Sequence, residues 1–342
     1  MSHDPSSVAI KNGQLFGLDV AFEKAKIVAT SIPWDVTTSY RPGTVHGPEA
    51  ILEASYQLDL SSPLVSAGWE LPLHFSGLSE EWKYRSYDYR KMSSKLIEAL
   101  ERGESPESCW PGLLDEVNQA CQELYHESYQ RTLGYLNQGK AVLTLGGDHA
   151  VSLGPIRAYA EKYPDLSILH FDAHADLREA YEGFTYSHAS IMYNVLRECP
   201  SVKALVQVGI RDYAPSEVQL IETDSRLHTF FDWNLKLALS QGKIWKDLAE
   251  SIIEKLGPQV YISFDIDALD PKLCPHTGTP VPGGLELWQA QQLIQWVVES
   301  GRKIVGADLV EVAPGPEGDQ WDGNVGARLT FFLACAIWRG LM

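Results

Sequence analysis

Short apolar runs recur along this chain, and most are followed by a segment with helical spacing. The runs are Ala25–Ile32, Ala141–Leu145, Ser167–Phe171, Ala204–Gly209, Gln259–Phe264 and Lys303–Leu309, with Phe230 and Phe231 marking another short strand. Runs this short and continuous read as strands buried on both faces. Between them, residues 113–137, 154–162, 190–198, 235–256 and 287–298 read as helices. A further helix is expected to start at Gly47–Pro48, since Pro suits the first turn and Glu49 then sits near the positive end of the helix dipole. Ala327–Trp338 reads as a buried helix. Strands alternating with helices predict an α/β fold built on a parallel sheet covered on both sides. No Gly/Ser-rich linker, repeat or low-complexity tract divides the 342 residues, so one domain over 1–342 is expected. Residues 60–112 break the pattern. They are rich in aromatics (Trp69, Phe75, Trp82, Tyr84, Tyr87, Tyr89, Trp110) and read as an irregular segment. It fits a substrate-facing insertion, a subunit contact, or surface loops pinned by aromatic rings.

Charge and cysteine usage narrow the function. A net charge of −17 argues against nucleic acid or an anionic membrane as partner and favours a cationic substrate. No apolar stretch is long enough to span a bilayer. The N-terminus, MSHDPSSVAIKNG, has neither a basic n-region nor an apolar h-region, so no secretory signal is read there. The five cysteines (Cys109, Cys121, Cys199, Cys274, Cys335) are scattered without a CxxC, which implies reduced thiols in a cytoplasmic protein.

Polar clusters sit just past four of the strands: His149 in LGGDH, Asp172, His174 and Asp176 in FDAHAD, Asp265 and Asp267 in SFDID, and Glu311 in ADLVEV. In open parallel sheets, ligands bind outside the carboxyl ends of the strands, so these clusters can meet in one place. Singly, each is ambiguous: a His after a Gly-Gly turn is commonly a loop residue, and a DxD after a strand also serves as a helix cap. Two carboxylates and an imidazole within DAHAD repel or lose solvation unless a cation offsets them. A mixed set with carboxylates in excess of imidazoles suits Mn2+, Fe2+, Ni2+ or Zn2+. Six ligands are too many for one ion that must keep an open position. Two ions about 3.5 Å apart, bridged by carboxylates and a water, fit better. Such a water is deprotonated near neutral pH, so the residues alone point to metal-assisted hydrolysis.

The segments TTSYRPGTVHGPEAI, LGGDHAVSLG, FDAHADL, SFDIDALDP, TGTPVPGGL and GADLVEVAP closely resemble the ureohydrolase family of arginases, agmatinases and related guanidino hydrolases, with agmatinases nearest in motif. The likeness runs in order through most of the chain and is weak across 60–112 and at the extreme N-terminus. It implies a three-layer α/β/α sandwich around a mainly parallel sheet, holding two Mn2+; Ni2+ accepts the same ligand types. It implies that His149 and Asp176 bind one ion, that His174 and Asp267 bind the other, and that Asp172 and Asp265 bridge them. Asp176 would also orient a bridging hydroxide, which attacks the guanidinium carbon and releases urea and an amine. Glu311 would accept hydrogen bonds from the guanidinium. His188, in YSHAS, would protonate the leaving amine. The family also implies a homo-oligomer, a trimer or hexamer.

Substrate choice turns on the residues just beyond this motif. Arginases carry an Asn two residues after the last Asp of DAHxD, where this chain has Arg178. The segment DLREAYEGFTYSHASIM resembles agmatinases, and agmatine is a dication, in keeping with the acidic chain. The expected reaction is agmatine to putrescine and urea. Guanidine, guanidinobutyrate, arginine and formiminoglutamate stay as alternatives, because Arg178 suits a carboxylated substrate if it faces the pocket, or pairs with a nearby acid if it does not. Two further readings are a non-catalytic binding protein of this fold and a two-metal phosphatase. The complete ligand set with Glu311 and His188 argues against the first. The second would call for Lys, Arg or a Gly-rich nest beside the metals, which only Arg178 supplies.

Overall fold

A computed structural model describes residues 8–342. The N-terminal reading rests partly on residues 1–7, which lie outside the described residues. Among the described residues there are eight strands: β1 (Ile27–Ile32), β2 (Leu73–Phe75), β3 (Ala141–Gly146), β4 (Leu166–Phe171), β5 (Ala204–Ile210), β6 (Leu227–Phe231), β7 (Gln259–Asp265) and β8 (Lys303–Val310). They form one sheet in the order β2-β1-β3-β8-β7-β4-β5-β6, and every pairing is parallel. Side chains alternate between the two faces of each strand. Leu143, Leu169 and Ile262 join a core with the helices Gly47–Ser55, Trp245–Ile253, Leu287–Glu299 and Trp321–Leu341. Val142, Ile168 and Tyr261 join another with Leu113–Asn137, Leu153–Lys162 and Ile191–Glu198. The continuous apolar runs are thus explained by burial on both sides, and the chain has the α/β architecture expected of it, a parallel sheet with helices on both faces.

The strand order matters most for the site. Strands β3, β8, β7 and β4 are neighbours at the centre of the sheet, and the four polar clusters follow these four strands. The chain reaches them in another order, so the crossover helices, not sequence proximity, gather the clusters.

Residues 60–112 are not irregular throughout. They contain the edge strand β2 and a 22-residue helix, Glu80–Glu101. Its buried positions include Trp82, Ser86, Ser93, Leu96 and Ile97, so polar serines interrupt the apolar stripe that marks a helix in sequence. Those serines are hydrogen-bonding partners of the loop after β1. Ser86 donates to Asp35 Oδ1 at 3.2 Å and accepts from the Asp35 N–H at 3.0 Å, and Ser93 donates to Val36 O. Arg90 adds donors to the carbonyls of Asp35, Val36 and Thr38. Trp82 is 1% exposed, its indole N–H donates to Glu127 Oε2 at 2.8 Å, and the Arg131 guanidinium lies over its ring. Trp82→Ala is expected to cost about 3–5 kcal/mol of stability in chemical denaturation; a loss below about 1 kcal/mol would mean that the helix is not anchored there. The helix expected over 235–256 is two, Asp232–Ser240 and Trp245–Ile253, separated at Gly242, whose φ is +93°. Among the described residues, no helix is long and apolar enough to cross a membrane.

Candidate metal centre

The DAHAD segment leaves the sheet at the end of β4. Asp172 follows directly, its N–H still donating to Val208 O of β5, and the Ala173 N–H donates to Asp267 Oδ1 at 3.0 Å. The backbone then turns sharply, with Asp176 at φ +55°, and the Asp176 carbonyl accepts from the N–H groups of Met192 and Tyr193. On the other side, β3 ends at Gly146, Gly147 follows it, and His149 opens a short turn that leads into Leu153–Lys162. No Cβ fits at Gly147, because it would lie 1.9 Å from the Trp34 carbonyl oxygen.

Two groupings result, sharing Asp172. His149 Nδ1 lies 3.0 Å from Asp172 Oδ2, 3.1 Å from Asp176 Oδ2 and 3.5 Å from Asp265 Oδ2. His174 Nδ1 lies 3.1 Å from Asp267 Oδ2 and 3.4 Å from Asp172 Oδ1. The two oxygens of Asp172 thus face different imidazoles, the disposition of a bridging carboxylate. Asp265 contacts the His149 side and orders Asp267, whose N–H donates to Asp265 Oδ1 at 2.8 Å.

The hydrogen bonds around His149 decide what it offers. Ser263 Oγ donates to Asp308 Oδ1 at 2.9 Å and therefore accepts from His149 Nε2, also at 2.9 Å. That leaves Nδ1 facing three carboxylate oxygens, the nitrogen whose lone pair is offered to a cation once its proton is displaced. His149 Nδ1, Asp267 Oδ2 and Glu311 Oε2 are buried without a hydrogen-bond partner. Among the described residues, no Lys or Arg forms an ion pair with Asp172, Asp176, Asp265 or Asp267. Buried lone pairs in such a cluster call for cations between them, and the nitrogen-and-carboxylate donor set suits divalent transition ions. The residues fit a dinuclear metal site.

His170 is a member of the cluster that sequence reasoning misses. It lies in β4 two residues before Asp172, hence on the same face, and its Nε2 is 2.8 Å from Asp172 Oδ2. Gln207 Nε2 donates to Ala175 O and lies 3.1 Å from His170 Nδ1, while Gln207 Oε1 accepts from Thr229. Nδ1 is thereby the acceptor and Nε2–H the donor to Asp172. Burial pushes the pKa of His170 down, consistent with a neutral ring. An imidazole inside an otherwise apolar strand, two residues from a ligand, is the signal that could have found it.

Glu311 and His188 flank this cluster. Glu311, at φ +61°, follows β8; its N–H donates to Gly147 O, its carbonyl accepts from Thr277 Oγ1, and its Oε1 accepts the His149 N–H at 2.9 Å. His188 lines a cavity of about 130 Å³ together with His174 and Asp176, with Arg178, Tyr181 and Asp212 also in its wall. Burial, aided by the imidazoles of His174 and His149, pushes the pKa of His188 down to about 3. Arg178 faces this cavity and is paired as well: its guanidinium stacks over Tyr181 at 4.6 Å, and its Nε is 3.8 Å from Glu217 Oε2.

The crowding has a pH signature in metal-free protein. Burial first, and neighbouring carboxylates next, push Asp176 up to about 7 and Asp265 and Glu311 well above the usual carboxylate range. Burial disfavours charged His149 and His174, but the surrounding aspartates outweigh it and raise both. Asp172 goes the other way: burial raises it, and the imidazoles of His170, His149 and His174 overcome that. A group raised in the folded state contributes stability below its unfolded pKa, and this is lost as pH climbs through the folded value. The raised carboxylates Asp176, Asp265 and Glu311 outnumber the depressed imidazoles of His188 and His170, which act in the opposite sense, so metal-free protein should melt at progressively lower temperature from about pH 4 upward through about pH 7, and added Mn2+ should reduce the trend. Thermal scans in chelator check this; a melting temperature that climbs over the same range would contradict it.

A sequence profile described as the arginase family matches residues 25–342. The chain is 34% identical over 306 residues to an N(1)-aminopropylagmatine ureohydrolase of Thermus thermophilus, covering 86% of this chain and 85% of that one. It is 34% identical over 296 residues to an agmatinase of Bacillus cereus, covering 86% of each. Among solved structures, the proclavaminate amidino hydrolase of Streptomyces clavuligerus superposes with a TM-score of 0.73 at 23% identity, over 98% of this chain and all (100%) of that one. The agmatine ureohydrolase of Thermoplasma volcanium gives 0.72 at 22% identity, over 96% and 94%. At these identities, both superpositions speak for the fold.

Proposed function

The chain belongs to the arginase family, and we propose that its reaction within that family is the hydrolysis of agmatine to putrescine and urea. Guanidino hydrolysis to urea is the activity of the family; agmatine as substrate is our reading. The observation that carries the chemistry is Nδ1 of His149 facing three carboxylates, with Asp172 turned to both imidazoles. His149 and Asp176 would hold one divalent ion, His174 and Asp267 the other, with Asp172 and Asp265 between. Bound there, the ions supply the Lewis acidity that lets a water lose a proton near neutral pH.

The protein groups do the rest. Glu311 Oε2, buried and unpartnered, is the acceptor for a guanidinium N–H, a charge-assisted bond that also fixes the orientation of the plane. Asp176, at the cavity wall, accepts a hydrogen bond from the attacking water and aims its oxygen at the guanidinium carbon. His188 takes up a proton and delivers it to the amine nitrogen as the C–N bond breaks.

Agmatine is favoured over arginine by three things. Both relatives named above, at 34% identity, act, by their names, on agmatine or its aminopropyl derivative. Arg178 stands in the cavity wall where arginases carry Asn. The chain is strongly acidic. The decisive experiment is urea release from agmatine, aminopropylagmatine, arginine, guanidine, guanidinobutyrate and formiminoglutamate under Mn2+ and Ni2+ loading. Agmatine should give the highest kcat/KM; no urea from any guanidino compound while two ions are bound would sink the proposal. Arg178→Ala should change the ranking of substrates by roughly tenfold while leaving metal content intact. An unchanged ranking with lower melting temperature would restrict Arg178 to its pairing with Glu217. We propose further that the protein is a homo-oligomer, which sedimentation of the metal-loaded chain tests.

A further inference from the structure

The loop after β1 carries Thr37, which touches both Asp148 and His188. Thr37 Oγ1 donates to Asp148 Oδ2 at 3.1 Å, and the Thr37 backbone N–H donates to the same oxygen at 3.3 Å. Asp148 is fully buried between β3 and His149. A threonine hydroxyl has one proton and two lone pairs. With the proton directed at Asp148, the oxygen can only accept from its other neighbours. The His188 backbone N–H donates to it at 3.1 Å, and His188 Nδ1 lies 3.4 Å away. Ser187 Oγ, 3.3 Å from the same nitrogen, accepts in turn from the Ala189 N–H. Because the Thr37 proton is committed to Asp148, a hydrogen bond between Thr37 Oγ1 and Nδ1 requires Nδ1 to bear the ring proton and leaves the lone pair to Nε2; Ser187 Oγ keeps a second lone pair with which it can accept from Nδ1–H as well. Among the described residues, none is hydrogen-bonded to Nε2.

The loop is not free to yield. Asp35 Oδ2 accepts from the Gly43 N–H at 2.8 Å, closing the loop on itself. Arg90 and Ser93 of the helix Glu80–Glu101 bind the carbonyls of Val36 and Thr38, on either side of Thr37. The aromatic-rich segment is thus the buttress of the loop that touches His188.

We propose that Thr37 is a positioning residue for His188: oriented by Asp148, its hydroxyl fixes the Nδ1–H tautomer and leaves the Nε2 lone pair to the cavity. This deepens the proposed function and rests on His188 as proton carrier. The oxygen of water bonds to the guanidinium carbon and gives up a proton; Nε2 takes it. When the C–N bond breaks, its electron pair stays on the amine nitrogen, and Nε2–H supplies the proton that neutralises it. The ring ends as it began, with Nδ1–H throughout.

The test pairs Thr37→Val, which removes the hydroxyl at nearly constant shape, with Thr37→Ser, which keeps it. Thr37→Val should lower kcat by about tenfold or more, part of the 10²–10⁴ of a general acid–base group, with metal content unchanged. KM should stay within about twofold, because the interaction is not with bound substrate. Thr37→Ser should recover most of kcat. Independently, ring-¹⁵N histidine spectra of metal-free protein report the tautomer, with His188 assigned by difference against His188→Asn. Native protein and Thr37→Ser should show Nδ1 protonated, and Thr37→Val a mixture. Native His188 protonated at Nε2, or Thr37→Val with native kcat, overturns the proposal. Should the protein release no urea at all, the proposed function falls, and the spectra still decide the tautomer.

Discussion

Asp172→Ala should yield a protein that neither retains a metal pair nor releases urea. Asp172 is the residue whose two oxygens face the two imidazoles, 3.0 Å from His149 Nδ1 on one side and 3.4 Å from His174 Nδ1 on the other. Removing it takes a donor from each grouping at once and leaves His170 Nε2–H without its acceptor. The loss should therefore exceed that for a residue which only orients a ligand. His170→Ala supplies the comparison: it should weaken metal affinity by about 10–100-fold, the usual range for an outer partner of a ligand. Elemental analysis after dialysis, together with urea release, reads both variants. The melting temperature gives a second readout, since a metal that binds only the folded state raises it by mass action. Mn2+ should raise it for the native chain and not for Asp172→Ala. Full activity in Asp172→Ala would refute the assignment of the site, and equal losses in the two variants would refute the distinction between bridging carboxylate and supporting histidine.

Gly147→Ala should have the largest effect on folding of any single methyl added near the site. Its Cβ would fall 1.9 Å from the Trp34 carbonyl oxygen and 2.6 Å from Trp34 N, backbone atoms that cannot rotate away. The same stretch holds a knot of main-chain bonds: Gly147 N–H to Ile32 O, Asp148 N–H to Trp34 O, and Glu311 N–H to Gly147 O. Making room for a methyl means parting the ends of β1, β3 and β8, at or above the usual cost of about 1–3 kcal/mol for overpacking. It also moves His149 and Glu311 relative to one another. Gly134 provides the control. It lies in the helix Leu113–Asn137 with nothing within 4 Å of a built Cβ. Gly134→Ala should stabilise by about 0.5–1 kcal/mol, because it relieves only the backbone entropy of glycine in a helix. Denaturant titrations of the two variants should differ in sign; a neutral Gly147→Ala would mean that the strand ends are looser than their contacts imply.

Much of the site is legible in the amino-acid sequence. Carboxylate and imidazole at four strand ends cannot be buried together cheaply, so composition and position alone imply a cation. His170 escapes because it sits within an apolar run, although the two-residue period of a strand places it on the face of Asp172. The helix Glu80–Glu101 escapes because Ser86 and Ser93 stand at buried positions of its inner face, where they bind Asp35 and Val36. A hydrophobic period registers apolar burial only; it is blind to polar groups buried for their hydrogen bonds.

The class of fold, the strand ends that carry chemistry, and the family are all written in the chain itself. They depend on local properties: the two-residue and 3.6-residue periods, turn residues at their ends, and donor types in short motifs. Who faces whom is settled only by packing. The order β3-β8-β7-β4 makes neighbours of motifs more than a hundred residues apart, because parallel strands pair through crossovers whose length the motifs do not encode. The finer choices come down to single lone pairs. Ser263 donates to Asp308 and so turns Nδ1 of His149 toward the aspartates, and Thr37 donates to Asp148 and so sets the ring of His188. A sequence names the donors and acceptors, but a hydroxyl has one proton, and only the packed structure says which neighbour receives it.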